Sequence, residues 1–257
     1  MNLSEGQILV WIASFIWPLL RISAMFVSVP LFSLQSVPAR TRLILALTVT
    51  IVIVPVLPAY QTVEMFSYAG FMVALAQVLI GLTTGFILQL AFSALLFAGQ
   101  GVALSMGLGF ASMVDPQNGQ QVPVIAQFYV MVCTLVFLSL DGHLVLIKML
   151  LDSFTSLPIG LDSLSKTDLW EILMFSSRIF SGGLLLTMPI IVSLLLANIF
   201  LAVATRAAPQ LNIFSVGFPV TLMLGMVLVW ITLPSVTEQF AGILTETYGF
   251  IEKLLRL

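Results

Sequence analysis

A carboxylate two residues from the only histidine, in Asp141-Gly142-His143, is the nearest approach to an acid–base pair in these 257 residues. Proton transfer needs something to act on, and the sequence offers no nucleophile motif beside the pair. It has neither a Gly-x-Ser-x-Gly elbow nor a His-Glu-x-x-His helix. The triplet follows an apolar run, residues 124–140, and reads more simply as the turn that ends a helix at the headgroup level. Cys133 is the single cysteine, so an intrachain disulfide is excluded. With only one histidine to add, a Cys/His zinc site within one chain is excluded too, and no cofactor or metal is expected.

Arg21 poses the opposite problem, a charge placed where it cannot stand alone. It lies three residues after Pro18 in the apolar run 8–34, and a cation at a bilayer centre costs at least about 2.5–3.5 kcal/mol on insertion scales. Either the helix is displaced so that the side chain reaches an interface, or Arg21 has a buried partner or a subunit contact. Asp141 is a candidate partner by its rarity. The third place is residues 107–123, GLGFASMVDPQNGQQVP, where glycines, amides, an aspartate and two prolines crowd between apolar flanks. Gly101, Gly107 and Gly109 match neither a Walker A run, which ends Gly-Lys-Ser/Thr, nor a dinucleotide fingerprint, and without a lysine the phosphate reading fails. Asp115-Pro116 and Asn118-Gly119 are turn signals. Irregular backbone near membrane depth is tolerated only where it is buried in protein or lines a cavity. The segment is therefore an ordinary extramembrane loop or a loop over a pore. Phe110 and Met113 fit the second better than the first, since a solvated turn gains nothing from an aromatic ring and an adaptable thioether, but composition alone leaves both readings open.

The elements that hold these residues must be membrane helices. Hydrophobic residues make up 60% of the chain and charged residues 8%, against about 45–50% and about 25% in soluble domains. The length supplies about six or seven spans of roughly 20 residues, and one domain, residues 1–257, is expected. With a net charge of −2 and no Lys/Arg stripe, nucleic acid is excluded as a partner. The N-terminus carries Glu5 and no basic residue ahead of its apolar run, which predicts a retained first span and no cleaved signal.

Six apolar blocks follow one another: residues 8–34, 43–60, 65–114, 124–140, 179–205 and 213–233. The first is expected to kink at Pro18 and to end at Pro30, Pro38 and the pair Arg40/Arg42. The third carries no charge over more residues than one span requires, so it must turn back, run past the bilayer or lie partly outside lipid. Within it Gly81 and Gly85 form a Gly-x-x-x-Gly pair, with Ala94 and Ala98 at the same spacing, and small residues at that interval let helix backbones approach closely. Gln77, Gln89 and Gln100 favour burial against protein or a wet lumen over lipid contact. Residues 152–171 are the longest polar connection, with Thr167 or Asp168 as the helix N-cap. Residues 237–257 read as an amphipathic C-terminal helix, lying on a membrane surface or packed on a partner.

Five stretches together resemble the FliR/SctT family of export-gate components of bacterial flagellar and type III secretion systems. They are WPLLRISAMFVSVPLF with VPARTRLILAL, MGLGFASMVDPQNGQQVPV, FLSLDGHLVLIKMLLDSFTSLPIG and RAAPQLNIFSVGFPVTLMLGM, in the family's order over nearly the whole chain. The resemblance implies an all-α integral membrane protein of about six hydrophobic segments, folded as kinked helical hairpins within a hetero-oligomeric helical pore. It implies FliP/SctR-type and FliQ/SctS-type subunits as partners, an FlhB/SctU-type export switch protein, and unfolded exported proteins as cargo. The place implied is the bacterial inner membrane and the flagellar basal body, with much of the complex standing on the periplasmic side. General similarity favours the flagellar over the virulence branch. By the same resemblance the loop over residues 106–122 projects into the pore and helps to seal it. Met106, Gly107, Gly109, Phe110, Met113, Asp115, Pro116 and Gly119 are its candidate residues, the glycines giving it freedom to move aside. Arg21, Gly81, Gly85, Asp141, His143, Pro209 and Asn212 are candidates for structural or subunit packing. The alternative from another class is a small-solute secondary transporter or channel, with Arg21, Asp141 and the loop lining a site at broken helices.

Overall fold

The computed structural model describes residues 5–33, 37–58, 63–108, 123–160, 164–207 and 217–257, the side chains of 5–10 and 32–33 aside. Every regular element among the described residues is helical. In chain order they are α1 (Glu5–Ser28), the single turn α2 (Pro30–Ser33), α3 (Ala39–Ile53) with a 3-10 turn at Val54–Val56, α4 (Tyr68–Ser105), α5 (Val124–Ser139), α6 (Gly142–Ser156), α7 (Lys166–Phe175), α8 (Arg178–Ala207) and α9 (Phe218–Leu255). Five stretches among the described residues are long and apolar enough to cross a membrane: Trp11–Ser28, Ala39–Val56, Tyr68–Ser105, Lys166–Ala207 and Phe218–Leu255. The chain is an all-α integral membrane protein.

Several boundaries differ from the sequence expectation, each for a local reason. The overlong third block does not turn back. α4 is one helix of 38 residues, rising about 57 Å where a bilayer core measures about 30 Å. No proline interrupts it, and Thr83, Thr84 and Ser105 return their hydroxyls to carbonyls a turn earlier, at 2.7, 2.8 and 2.9 Å. Arg40 and Arg42 open α3 rather than ending the first block, and Arg42 bonds the Val37 carbonyl at 3.0 Å. The polar connection is shorter than expected because α6 continues to Ser156. The N-cap of α7 is Ser165, not Thr167 or Asp168: its hydroxyl accepts from the Asp168 N–H at 3.1 Å while the Asp168 carboxylate accepts from the Ser165 N–H at 2.7 Å. Asp168 is thus the far half of a capping box. The amphipathic tail is not a separate helix either, since α9 passes through Pro234 without ending.

The chain divides into two compact units, one made of Met1–Leu90, Leu140–Ser176 and Leu244–Leu257, the other of Ala91–Ser139 and Ser177–Ile243. In the first, α1 packs on α3, and Ile22, Met25 and Phe26 are buried with Ile80 and Leu88 of α4 and Leu150 and Phe154 of α6. The end of α9 closes this unit: Phe250 stacks on Phe175 at 4.3 Å, Ser156 Oγ donates to the Leu255 carbonyl at 2.6 Å, and Lys253 pairs with Glu171 at 2.7 Å. The apolar face of the tail, Ile251, Leu254 and Leu255, is therefore buried within the chain, and its polar face is left outward. In the second unit Phe92 of α4 meets Phe137 and Phe240 edge-on, with ring centroids 5.8 and 5.3 Å apart. In lipid, burial in protein gains little hydrophobic free energy, so helix contact depends on close packing. At Gly99 an added methyl would strike Ala126 of α5, and at Gly183 of α8 it would come within 2.8 Å of the Ala94 carbonyl.

Candidate functional site

Arg21 stands on α1 with no exposed surface. Its Nε donates to Gln77 Oε1 of α4 at 2.8 Å, Nη1 to the Ser153 carbonyl and hydroxyl at 2.9 and 3.0 Å, and Nη2 to the Leu157 carbonyl at 2.8 Å. The Phe154 ring lies under the guanidinium, its centroid 4.3 Å from Cζ. The Ser153 hydroxyl passes the chain on to the Leu150 carbonyl at 2.6 Å. None of these acceptors is a carboxylate. The charge is met by the C-terminal turn of α6, where the helix dipole is negative and carbonyls have capacity to accept a further bond, and by the face of an aromatic ring.

This corrects the suggested pairing of Arg21 with Asp141. Asp141 is exposed and sits at the other end of α6, in the left-handed region at φ 54° and ψ 25°. Its carbonyl accepts from Leu144 and Val145 at 2.8 and 3.1 Å, and its side chain makes no capping bond. Gly142 is buried and His143 half-buried, with Nδ1 lacking a hydrogen-bond partner among the described residues. The triplet is a helix-starting turn, and it brings no nucleophile to the imidazole. Arg21, enclosed by its own helices, does not face a solute path, which removes one of the three features that a transporter site would use.

Gly81 and Gly85 bring α4 against α1 within the chain. A methyl at Gly81 would overlap the Arg21 carbonyl, and one at Gly85 would overlap Ser28 Oγ and lie 2.9 Å from the Met25 carbonyl. The same contact that needs small residues thus sets Arg21 beside Gln77, one turn before Gly81. Of the three glutamines of α4 only Gln77 is buried; Gln89 and Gln100 are exposed, three helical turns apart on a side that also carries Phe86, Phe97 and Leu104.

Of the loop residues, Met106 and Gly107 are described, and they form its root. Met106 has no exposed surface. Gly107 has φ +82°, with its N–H on the Leu104 carbonyl and the Leu108 N–H on the Ala103 carbonyl, both at 3.0 Å. That pair of bonds is a Schellman motif. The positive φ of Gly107 is therefore what ends α4. Gly109, Phe110, Met113, Asp115, Pro116 and Gly119, with Pro209 and Asn212, lie outside the described residues. Sequence reasoning did not find Ser153, Phe154 or Leu157 as the surroundings of Arg21. Two of the acceptors are backbone carbonyls, which any residue supplies, so no side-chain signal existed for them. It also passed over Gly183 and Gly225, where a lone glycine in an apolar run was the available sign.

The family model described as bacterial export proteins, family 1, matches residues 12–247. The chain is 38% identical over 255 residues to the flagellar biosynthetic protein FliR of Escherichia coli strain K12, covering 99% of this chain and 97% of that one. It is 37% identical to the protein of the same name from Pectobacterium carotovorum over 245 residues, 95% and 94% of the two chains. To that of Aquifex aeolicus it is 32% identical over 237 residues, 92% and 91% of the two chains.

Proposed function

We infer the role of this chain from one premise, that it belongs to family 1 of the bacterial export proteins and is a component of the flagellar export apparatus. It is a non-enzymatic subunit of the export gate in the inner membrane, and with FliP- and FliQ-type partners it forms the pore through which unfolded flagellar proteins pass. An FlhB-type switch protein works beside it. The segment over residues 106–122 helps to seal the pore at rest.

The observation that carries this reading is α4. Its 38 residues hold no charge and outrun a bilayer core about twofold, yet one side stays exposed from Phe71 and Leu75 through Phe86 to Leu104. A lipid coat cannot reach along all of it, and water disfavours so long an apolar stripe. Other subunits must cover the remainder. Gln89 and Gln100 on that exposed side suit a subunit contact or a wet lumen and do not suit lipid. Ala39–Val56 and Phe218–Leu255 leave further apolar surface for neighbours, Ile51, Val52, Trp230 and Ile231 among it.

The test replaces residues 109–122 by a glycine-serine linker of equal length in cells carrying the complete export apparatus, leaving Met106, Gly107 and Leu108 in place. Inner-membrane ion leak is compared with the intact protein and with a strain lacking the chain. Leak that requires the altered chain in an assembled complex is the expected result. A tight membrane with assembly confirmed would refute the sealing role.

A further inference from the structure

The first two turns of α9 hold the end of α4 by shape. Phe218 and Gly225 are seven residues apart and so share a helix face. Gly225 is buried, and a methyl added to it would overlap the Met106 side chain, coming within 2.8 Å of Sδ and Cε. Met106, fully buried, therefore fills a notch that exists only because position 225 lacks a side chain. One residue on, the ring of Phe218 lies against Gly107, 3.2 and 3.4 Å from where a methyl on that glycine would stand. Thr221, between the two, is buried and returns its hydroxyl to the Phe218 carbonyl at 3.1 Å. Val102 and Ala103 are buried just before. The Schellman bonds at Gly107 and Leu108 fix where α4 stops, and the notch and the ring fix where that stop is held.

We propose that Gly225 and Phe218 are positioning residues of the pore's resting seal, acting through Met106 and Gly107 to set the point and direction in which the chain leaves α4. This rests on the sealing role proposed above. It assigns the seal's precision to α9, a helix more than a hundred residues later in the chain, which holds the root of the segment at Met106 and Gly107.

The notch makes a size-exchange test available, because a volume-conserving swap restores packing that a single enlargement disrupts. In cells with the complete apparatus, Gly225→Ala and Gly225→Leu are expected to raise ion leak several-fold over the intact protein, the leucine more than the alanine, in complexes of normal subunit content. Met106→Ala combined with Gly225→Leu is expected to return leak toward the intact level. Phe218→Ala should leak as Gly225→Ala does. If Gly225→Leu fails to assemble, Gly225→Ala and the exchange pair still give the comparison. Assembled Gly225 variants as tight as the intact protein would overturn the proposal, as would an exchange pair that leaks as much as Gly225→Leu. The glycine-serine replacement of 109–122 run alongside separates the failures. Leak there with tight Gly225 variants overturns the positioning role alone, whereas no leak in either overturns the seal and the positioning role together.

Discussion

Arg21→Leu removes the buried cation at the centre of the first unit. The change strips Gln77 Oε1 and the Leu157 carbonyl of their guanidinium donors, while the Ser153 carbonyl keeps the Leu157 N–H at 2.9 Å. Two buried acceptors are left without those donors, and at about 1–3 kcal/mol each the loss is about 2–6 kcal/mol. Loss of the buried cation relieves a desolvation penalty of several kcal/mol, which offsets part of it. The single substitution therefore mixes two terms of opposite sign. A double-mutant cycle with Gln77→Leu separates them, because the second change removes an acceptor that the first had orphaned. We expect the pair to be less destabilised than the sum of the singles, with a coupling of about 1.5–3 kcal/mol, the range of a hydrogen bond to a charged group. Unfolding midpoints of protein purified from membranes, in mixed micelles titrated with denaturing detergent, supply the four free energies. Additivity within about 0.5 kcal/mol would refute the reasoning, since it is the behaviour of residues that do not touch.

Two further outcomes follow from backbone geometry. Gly81→Val drives a branched side chain into the Arg21 carbonyl, which is backbone and cannot swing away. The expected loss exceeds the roughly 1–3 kcal/mol typical of overpacking and should appear as a fall in membrane-inserted protein on a quantitative immunoblot, with Leu82→Val, on the exposed side of α4, unaffected. Asp141→Gly relieves a left-handed residue and should leave the unfolding midpoint equal or higher, whereas Asp141→Val should cost about 1–2 kcal/mol. Export at the normal rate in the glycine variant would also exclude an acid–base role for Asp141 with His143.

Much of this was legible in the residue order. Low charge and long apolar runs set the membrane class, because a chain with so few ionisable groups cannot present a solvated surface. The need of Arg21 for a partner was legible too, from the cost of a charge in hydrocarbon. Its partner was not: the rare carboxylate was the visible candidate, while the groups that serve are carbonyls at Ser153 and Leu157, 132 and 136 residues away. The Gly-x-x-x-Gly pair announced a close helix approach without naming α1. The break at Gly107 announced unusual backbone, and nothing local showed which bonds would end α4 there.

The sequence by itself determined which segments become helices and that they live in a membrane, since propensity, period and hydropathy act over neighbouring residues. Only the tertiary structure decided that the amphipathic tail is the end of α9, buries its apolar face within its own chain and is held there by Phe175 and Ser156. It alone decided that Gly225 is a notch for Met106, and that a lone arginine is neutralised by a helix end. The reason is physical: a donor, a notch or an apolar face specifies the kind of partner it needs, and packing of distant segments selects which one it meets.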